Sequence, residues 1–115
     1  MAPLTSPSEV KLKYGSLGVR IKNLTQKAWV KASKKLGLCI PEGSGAGSHV
    51  AVYRAGARPP YDDSEYLVLT IVKKPYAQIQ ISMVKSLTFE GVRSGQYTEK
   101  DVWEVLGIKV PAEKE

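Results

Sequence analysis

The sequence predicts an α+β sandwich in which helices cover one face of a three-stranded antiparallel sheet. Three observations lead there. Residues 24–36 carry apolar side chains at helical spacing, three apolar runs between residues 38 and 73 are separated by turn-forming residues, and helical spacing returns after Pro75. Elements grouped in this order segregate helices to one side of a sheet. At 115 residues the chain is the size of one domain, and its 43% hydrophobic and 24% charged residues are those of a folding chain, which excludes global disorder. One domain is expected over 10–107, with loose ends at 1–9 and 108–115.

Val10-Lys-Leu-Lys-Tyr14 and Val19-Arg-Ile-Lys22 alternate apolar and basic residues around Gly15-Ser-Leu-Gly18, which reads as an N-terminal hairpin. From Leu24 to Leu36 the positions Leu24, Ala28, Trp29, Ala32 and Leu36 form a helical stripe, with Thr25 as cap and Gly37 as stop. Its outer face carries Lys27, Lys31, Lys34 and Lys35. Leu38-Cys39-Ile40 is the first expected strand, Ser48 to Ala55 the second and Tyr66 to Lys73 the third. Ser82 is the expected cap of the next helix, and Thr98 with Asp101 marks a last helix ending at Gly107. Period-two alternation sends Val50, Val52, Leu67, Leu69 and Ile71 to the core. It leaves His49, Ala51, Tyr53, Tyr66, Val68, Thr70 and Val72 on the open face.

Charge is placed unevenly. Residues 1–61 hold ten Lys/Arg against Glu9 and Glu42, a local +8, whereas residues 62–115 carry a local −2. A basic half fits a nucleic-acid or an acidic-protein partner, and equally a solvated face, without choosing among them. Cys39 is the only cysteine, so an internal disulfide and a closed cysteine-based zinc site are excluded, and a reducing, cytoplasmic setting is expected. No signal peptide or membrane helix is expected, since the start lacks an apolar core and Tyr66 to Val72 is too short to span a bilayer. No cofactor and no metal are expected. Asp62, Asp63 and Glu65 read as well as solvated loop charges as they do as ligands.

The single histidine, His49, follows Gly47-Ser48 where a glycine-serine turn enters the second strand. Phosphate-loop and nucleophile-elbow patterns are missing, and Ser48 faces away from its neighbour His49, so neither a nucleotide-binding loop nor a serine hydrolase is indicated. The run Gly47-Ser48-His49-Val50-Ala51-Val52-Tyr53-Arg54, preceded by Lys35-Leu36-Gly37-Leu38 and followed by a strand, Pro75 and Ser82-Met-Val-Lys-Ser-Leu87, resembles the HicA family of mRNA interferase toxins. The match covers about residues 24–90. It departs at Ala46, where the family commonly has a polar residue, and at Pro75-Tyr76-Ala77, which lacks a second histidine.

The resemblance implies a fold like a double-stranded-RNA-binding domain, helix, three strands, helix. It implies metal-independent RNA cleavage with His49 as general acid or base, and a cognate antitoxin as protein partner. Around such a site Ser48, Tyr53, Arg54, Lys73 and Lys74 would contact RNA, and Lys27, Lys31, Lys34 and Lys35 would steer it. A non-catalytic nucleic-acid-binding module and a protein-interaction domain using the open sheet face are the alternative readings.

Overall fold

The computed structural model describes residues 6–21, 24–41, 49–57 and 66–111. A 3-10 turn at Pro7–Glu9 leads into helix α1 (Lys13–Ser16), followed by α2 (Gln26–Lys35), strands β1 (His49–Tyr53) and β2 (Leu67–Val72), and helices α3 (Ala77–Ser94) and α4 (Glu99–Val105). The class is α+β, with a two-stranded antiparallel sheet among the described residues.

Helix α2 begins where Thr25 Oγ1 accepts from the Ala28 N–H at 3.2 Å and stops at Gly37, whose φ of 83° is open to glycine at little cost. Helix α4 starts with a reciprocal box. Asp101 N–H donates to Thr98 Oγ1 and Thr98 N–H to Asp101 Oδ2. Helix α3 begins at Ala77, five residues before the expected cap at Ser82. Ser82 is an exposed mid-helix residue whose hydroxyl donates to the Gln78 carbonyl, while Ile79 and Gln80 extend the inward stripe of Met83, Val84 and Leu87 back to Pro75. Gly91 sits inside α3 because a Cβ there would lie 2.5 Å from the Tyr97 ring.

The core lies between one sheet face and the helices. Val50, Val52, Leu69 and Ile71 pack against Trp29 and Ala32 of α2 and Met83, Val84 and Leu87 of α3. Trp103 and Val102 of α4 close the end, and Ile108, beyond the expected domain limit, is buried with them. One buried polar side chain joins the two long helices. Gln80 Oε1 accepts from Trp29 Nε1 at 3.1 Å and from the Leu24 N–H at 3.3 Å. Tyr97 is buried too, donating its hydroxyl to the Leu87 carbonyl at 2.7 Å.

Three expectations are corrected. The N-terminal hairpin does not form. Residues 13–16 are helical, and the amides of Lys13 and Tyr14 donate to the two oxygens of Glu99 at 2.7 and 2.8 Å, which caps α1 from across the chain. Buried Val10 and Tyr14 then enter the core without sheet pairing, and a two-stranded hairpin alone is marginal in water. The first of the three strands is reduced to one bridge, Cys39 to Tyr53, with bonds of 2.8 and 2.9 Å. The next antiparallel position falls on Pro41, which has no N–H to give.

The third correction concerns Leu67 and Val68. Val52 pairs with Leu69 but Tyr53 with Leu67, so Val68 is an extra residue, a bulge. The bulge reverses the alternation beyond it. Leu67, expected in the core, is 40% exposed beside Tyr53, and Val68, expected on the open face, packs against the core.

Two predictions follow from this packing. Gln80→Leu keeps the volume but strands the buried Trp29 N–H, and should lower stability by about 1–3 kcal/mol in urea unfolding; an unchanged midpoint would contradict the role given to Gln80. The Tyr97 hydroxyl is pushed well above the usual tyrosine range by burial, with the Glu90 charge adding and Arg93 opposing. The folded state therefore keeps a proton that the unfolded chain loses, and stability should fall as pH rises past about 10. Tyr97→Phe should flatten that decline, read as thermal midpoint against pH.

Candidate nucleic-acid interface

His49 opens β1 at the end of the sheet and is exposed. Its Cα partner across the ladder is Val72, the last residue of β2, so the next two residues, exposed Lys73 and Lys74, leave the sheet at the histidine's end. Helix α2 starts at this end as well. The Gln26 side chain donates to the Ile71 carbonyl at 3.2 Å, one residue from Val72, and exposed Lys27 follows it. Lys31, Lys34 and Lys35 are exposed further along α2, so the helix presents a row of cations running roughly 12 Å from Lys27 to Lys35. Lys34 and Lys35 also fall in the last turn, where positive charge offsets the negative end of the helix dipole.

The sheet therefore gathers His49, Lys73, Lys74 and the start of the α2 lysine row. Tyr53 and Arg54 belong to the other end of β1, roughly 13 Å and more from His49 by strand rise. Half-buried Tyr53 lies across from Leu67 on the open face. Arg54 turns the other way, in line with Val50 and Val52, and its Nε lies 3.3 Å from Glu90 Oε1 of α3. The two groups pair by charge without an aligned hydrogen bond from Nε, and the bulk of Glu90's bonding comes from Arg93. Arg93 grips both Glu90 oxygens, at 2.7 to 2.9 Å. Ser48 lies outside the described residues.

Glu90 and Arg93 had no part in the sequence reading. Their signal was available in two places: the three-residue spacing of opposite charges on a helix, and the even position of Arg54 on a strand whose even residues point to the core. The first pairs Glu90 with Arg93, and the second turns Arg54 toward the core side.

Among the described residues no three His, Cys, Asp or Glu side chains come together as metal ligands, and no helix is long and apolar enough to cross a membrane. A groove of about 510 Å³ opens near the α3–α4 turn, lined by Val10, Thr88, Val92 and Tyr97 among others, and none of the expected site residues borders it. Among the described residues, the cations at this end of the sheet, Lys73, Lys74 and Lys27, are exposed. Comparison with protein-family models, with curated proteins and with solved structures finds no match to this chain.

The different settings of the cations separate their mutants. Arg54→Met leaves Glu90 with one partner and should lower stability, by about 1–3 kcal/mol in urea unfolding after allowing for the partial exposure of the pair. Affinity of the folded protein for heparin or RNA should stay near wild type. The double change Lys73→Glu, Lys74→Glu should do the reverse, weakening polyanion binding with little loss of stability. Equal effects of both variants on binding would contradict the division.

Proposed function

We propose that this chain is a HicA-like mRNA interferase, the toxin of a toxin-antitoxin pair, that cleaves RNA without a metal ion by using His49 as general acid or base. The observation that carries the reading is the exposed imidazole at the end of the sheet with Lys73, Lys74 and the start of the lysine-bearing α2 at the same end. The order α2, Cys39 bridge, β1, β2, α3 supports a fold like a double-stranded-RNA-binding domain, with the bridge standing where its first strand would run.

In the proposed reaction His49 takes the proton of a ribose 2′-hydroxyl as that oxygen attacks the adjacent phosphorus. The P–O5′ bond breaks, leaving a 2′,3′-cyclic phosphate and a 5′-hydroxyl whose proton comes from the imidazolium or from water. Proton transfer by one placed group supplies a factor of about 10²–10⁴. Negative charge building on the phosphorane calls for a cation, and Lys73 and Lys74 leave β2 at the histidine's end, whereas Arg54 is engaged with Glu90. A cognate antitoxin is proposed as the partner that masks His49, and the cytoplasm as the compartment. A non-catalytic RNA-binding module is the second reading, favoured by the α2 lysine row, which would hold phosphates without any need of the histidine.

One experiment separates the two. Purified wild type and His49→Ala are incubated with single- and double-stranded RNA, with and without EDTA, and resolved on denaturing gels. Cleavage that persists in EDTA and drops by about 10²-fold or more in the mutant is the expected result. RNA left intact by folded wild-type protein, but retarded on native gels equally by both proteins, would replace the nuclease with the binding module.

A further inference from the structure

The end of the sheet is where the open face carrying His49 and the helical layer carrying α2 meet. His49 and the Val72–Lys73–Lys74 exit of β2 lie at this end, and the bond from Gln26 to Ile71 brings the first turn of α2 to it. From there the exposed cations continue in sequence along the helix, Lys27, Lys31 and then Lys34 and Lys35. Four-residue steps advance about 6 Å along an α-helix and return to nearly the same face, so these ammonium groups line one ridge. Of the described acidic residues, Glu99, Asp101 and Glu104 belong to α4, Glu9 is exposed in the N-terminal 3-10 turn, and Glu90 is buried against Arg93. None lies on α2.

We propose that the α2 ridge is a distal backbone subsite for a single RNA strand whose reacting phosphate is at His49. The strand passes Lys74 and Lys73, turns round the sheet end, and runs up α2 toward Lys35. This rests on the function proposed above and adds a substrate class and a length to it. The turn selects the class. Layers pack about 10 Å apart, so the path from the His49 side to the outer side of α2 bends within a few nucleotides. A double helix, stiff over far more than a few base pairs, does not follow such a bend, whereas an unpaired strand does. The path is roughly 27 Å long, 10 Å between layers, 5 Å from the helix axis to its outer side and 12 Å of helix, which a strand of about five to seven nucleotides covers, at the low end of site sizes for tracked single strands. Shorter RNA reaches His49 and the β2 lysines only.

The test uses the full chain and a nested series of fluorescein-labelled, single-sequence oligoribonucleotides from a dinucleotide to a dodecamer, single-stranded or annealed. Binding is read by fluorescence anisotropy on the His49→Ala protein and turnover on the protein with His49 intact, each with and without Lys31→Ala plus Lys35→Ala. Both lysines are exposed and alanine favours the helix, and circular dichroism checks that the fold is kept. Affinity should climb with length and level off once the strand spans the ridge. In the double variant that climb should collapse, costing about tenfold or more in Kd for the longest strands, and the slope of log K against log salt should fall by about 1.4. Duplexes should gain little from length and lose little in the variant. The proposal is overturned if the variant weakens all lengths alike, if length has no effect, or if duplex and single strand respond equally. Because binding is measured with His49 removed, failure of cleavage in the intact protein would count against the nuclease reading and leave this result standing on its own.

Discussion

Burial of Gln80 is the constraint around which the rest of this fold is arranged. Its carboxamide oxygen is shut off from water and would cost free energy unless paired. Two groups pair it: the indole N–H of Trp29, from the middle of the inward face of α2, and the Leu24 N–H just ahead of the same helix. A hydrophobic contact would let α2 slide or rotate by a few ångströms over α3 with small change in buried area. Two directional bonds to one atom do not, so the rotation of α2 about its axis is set. Trp29 faces in, and the lysines, which lie on the remaining sides of the helix, face out. The cationic character of the outer surface is thus a geometric consequence of one amide inside.

A second constraint lies in the sheet and comes from backbone chemistry. Tyr53 turns its N–H and C=O toward Cys39, and the next antiparallel position falls on Pro41, which has no N–H to give. The inserted Val68 reverses β2 so that Leu67 surfaces beside Tyr53. The two ends of the same hairpin thereby acquire different characters. At one end an imidazole and two lysines meet water, and at the other a half-buried tyrosine and an exposed leucine lie near a buried glutamate held by two part-exposed arginines.

How much of this could be read in advance depended on whether the signal was local. Thr25, Gly37, Thr98 and Asp101 act on backbone groups within a turn of themselves, and the ends of α2 and α4 were legible from them. Val50, Val52, Leu69 and Ile71 were placed by simple alternation. Leu67 and Val68 were not, because a bulge is decided by the partner strand and leaves no mark in a uniformly apolar run. The hairpin read at Val10 to Lys22 failed for a related reason. Alternating apolar and basic residues satisfy a strand and also a short helical turn, and the deciding group, Glu99, is more than eighty positions away. Of the site, the exposure of His49 and of the α2 lysines followed from pattern alone. The inward turn of Arg54 was legible from its even position, but its partner Glu90 was not, since that depends on how α3, beginning at Ala77, lies under the sheet.

Glu99 carries a consequence for how the chain is made. Its carboxylate holds the amides of Lys13 and Tyr14 and the indole N–H of Trp103, and Tyr14 completes the core beside them. During synthesis residues 6–21 emerge more than eighty residues ahead of the group that fixes them. Until then residues 6–21 have no capped helix start and no indole edge to rest on, and closing so long a loop comes late in entropy terms as well. This segment therefore waits for α4 to find its place, and a nascent chain stalled before α4 leaves Val10, Leu12 and Tyr14 as an unfinished hydrophobic arm.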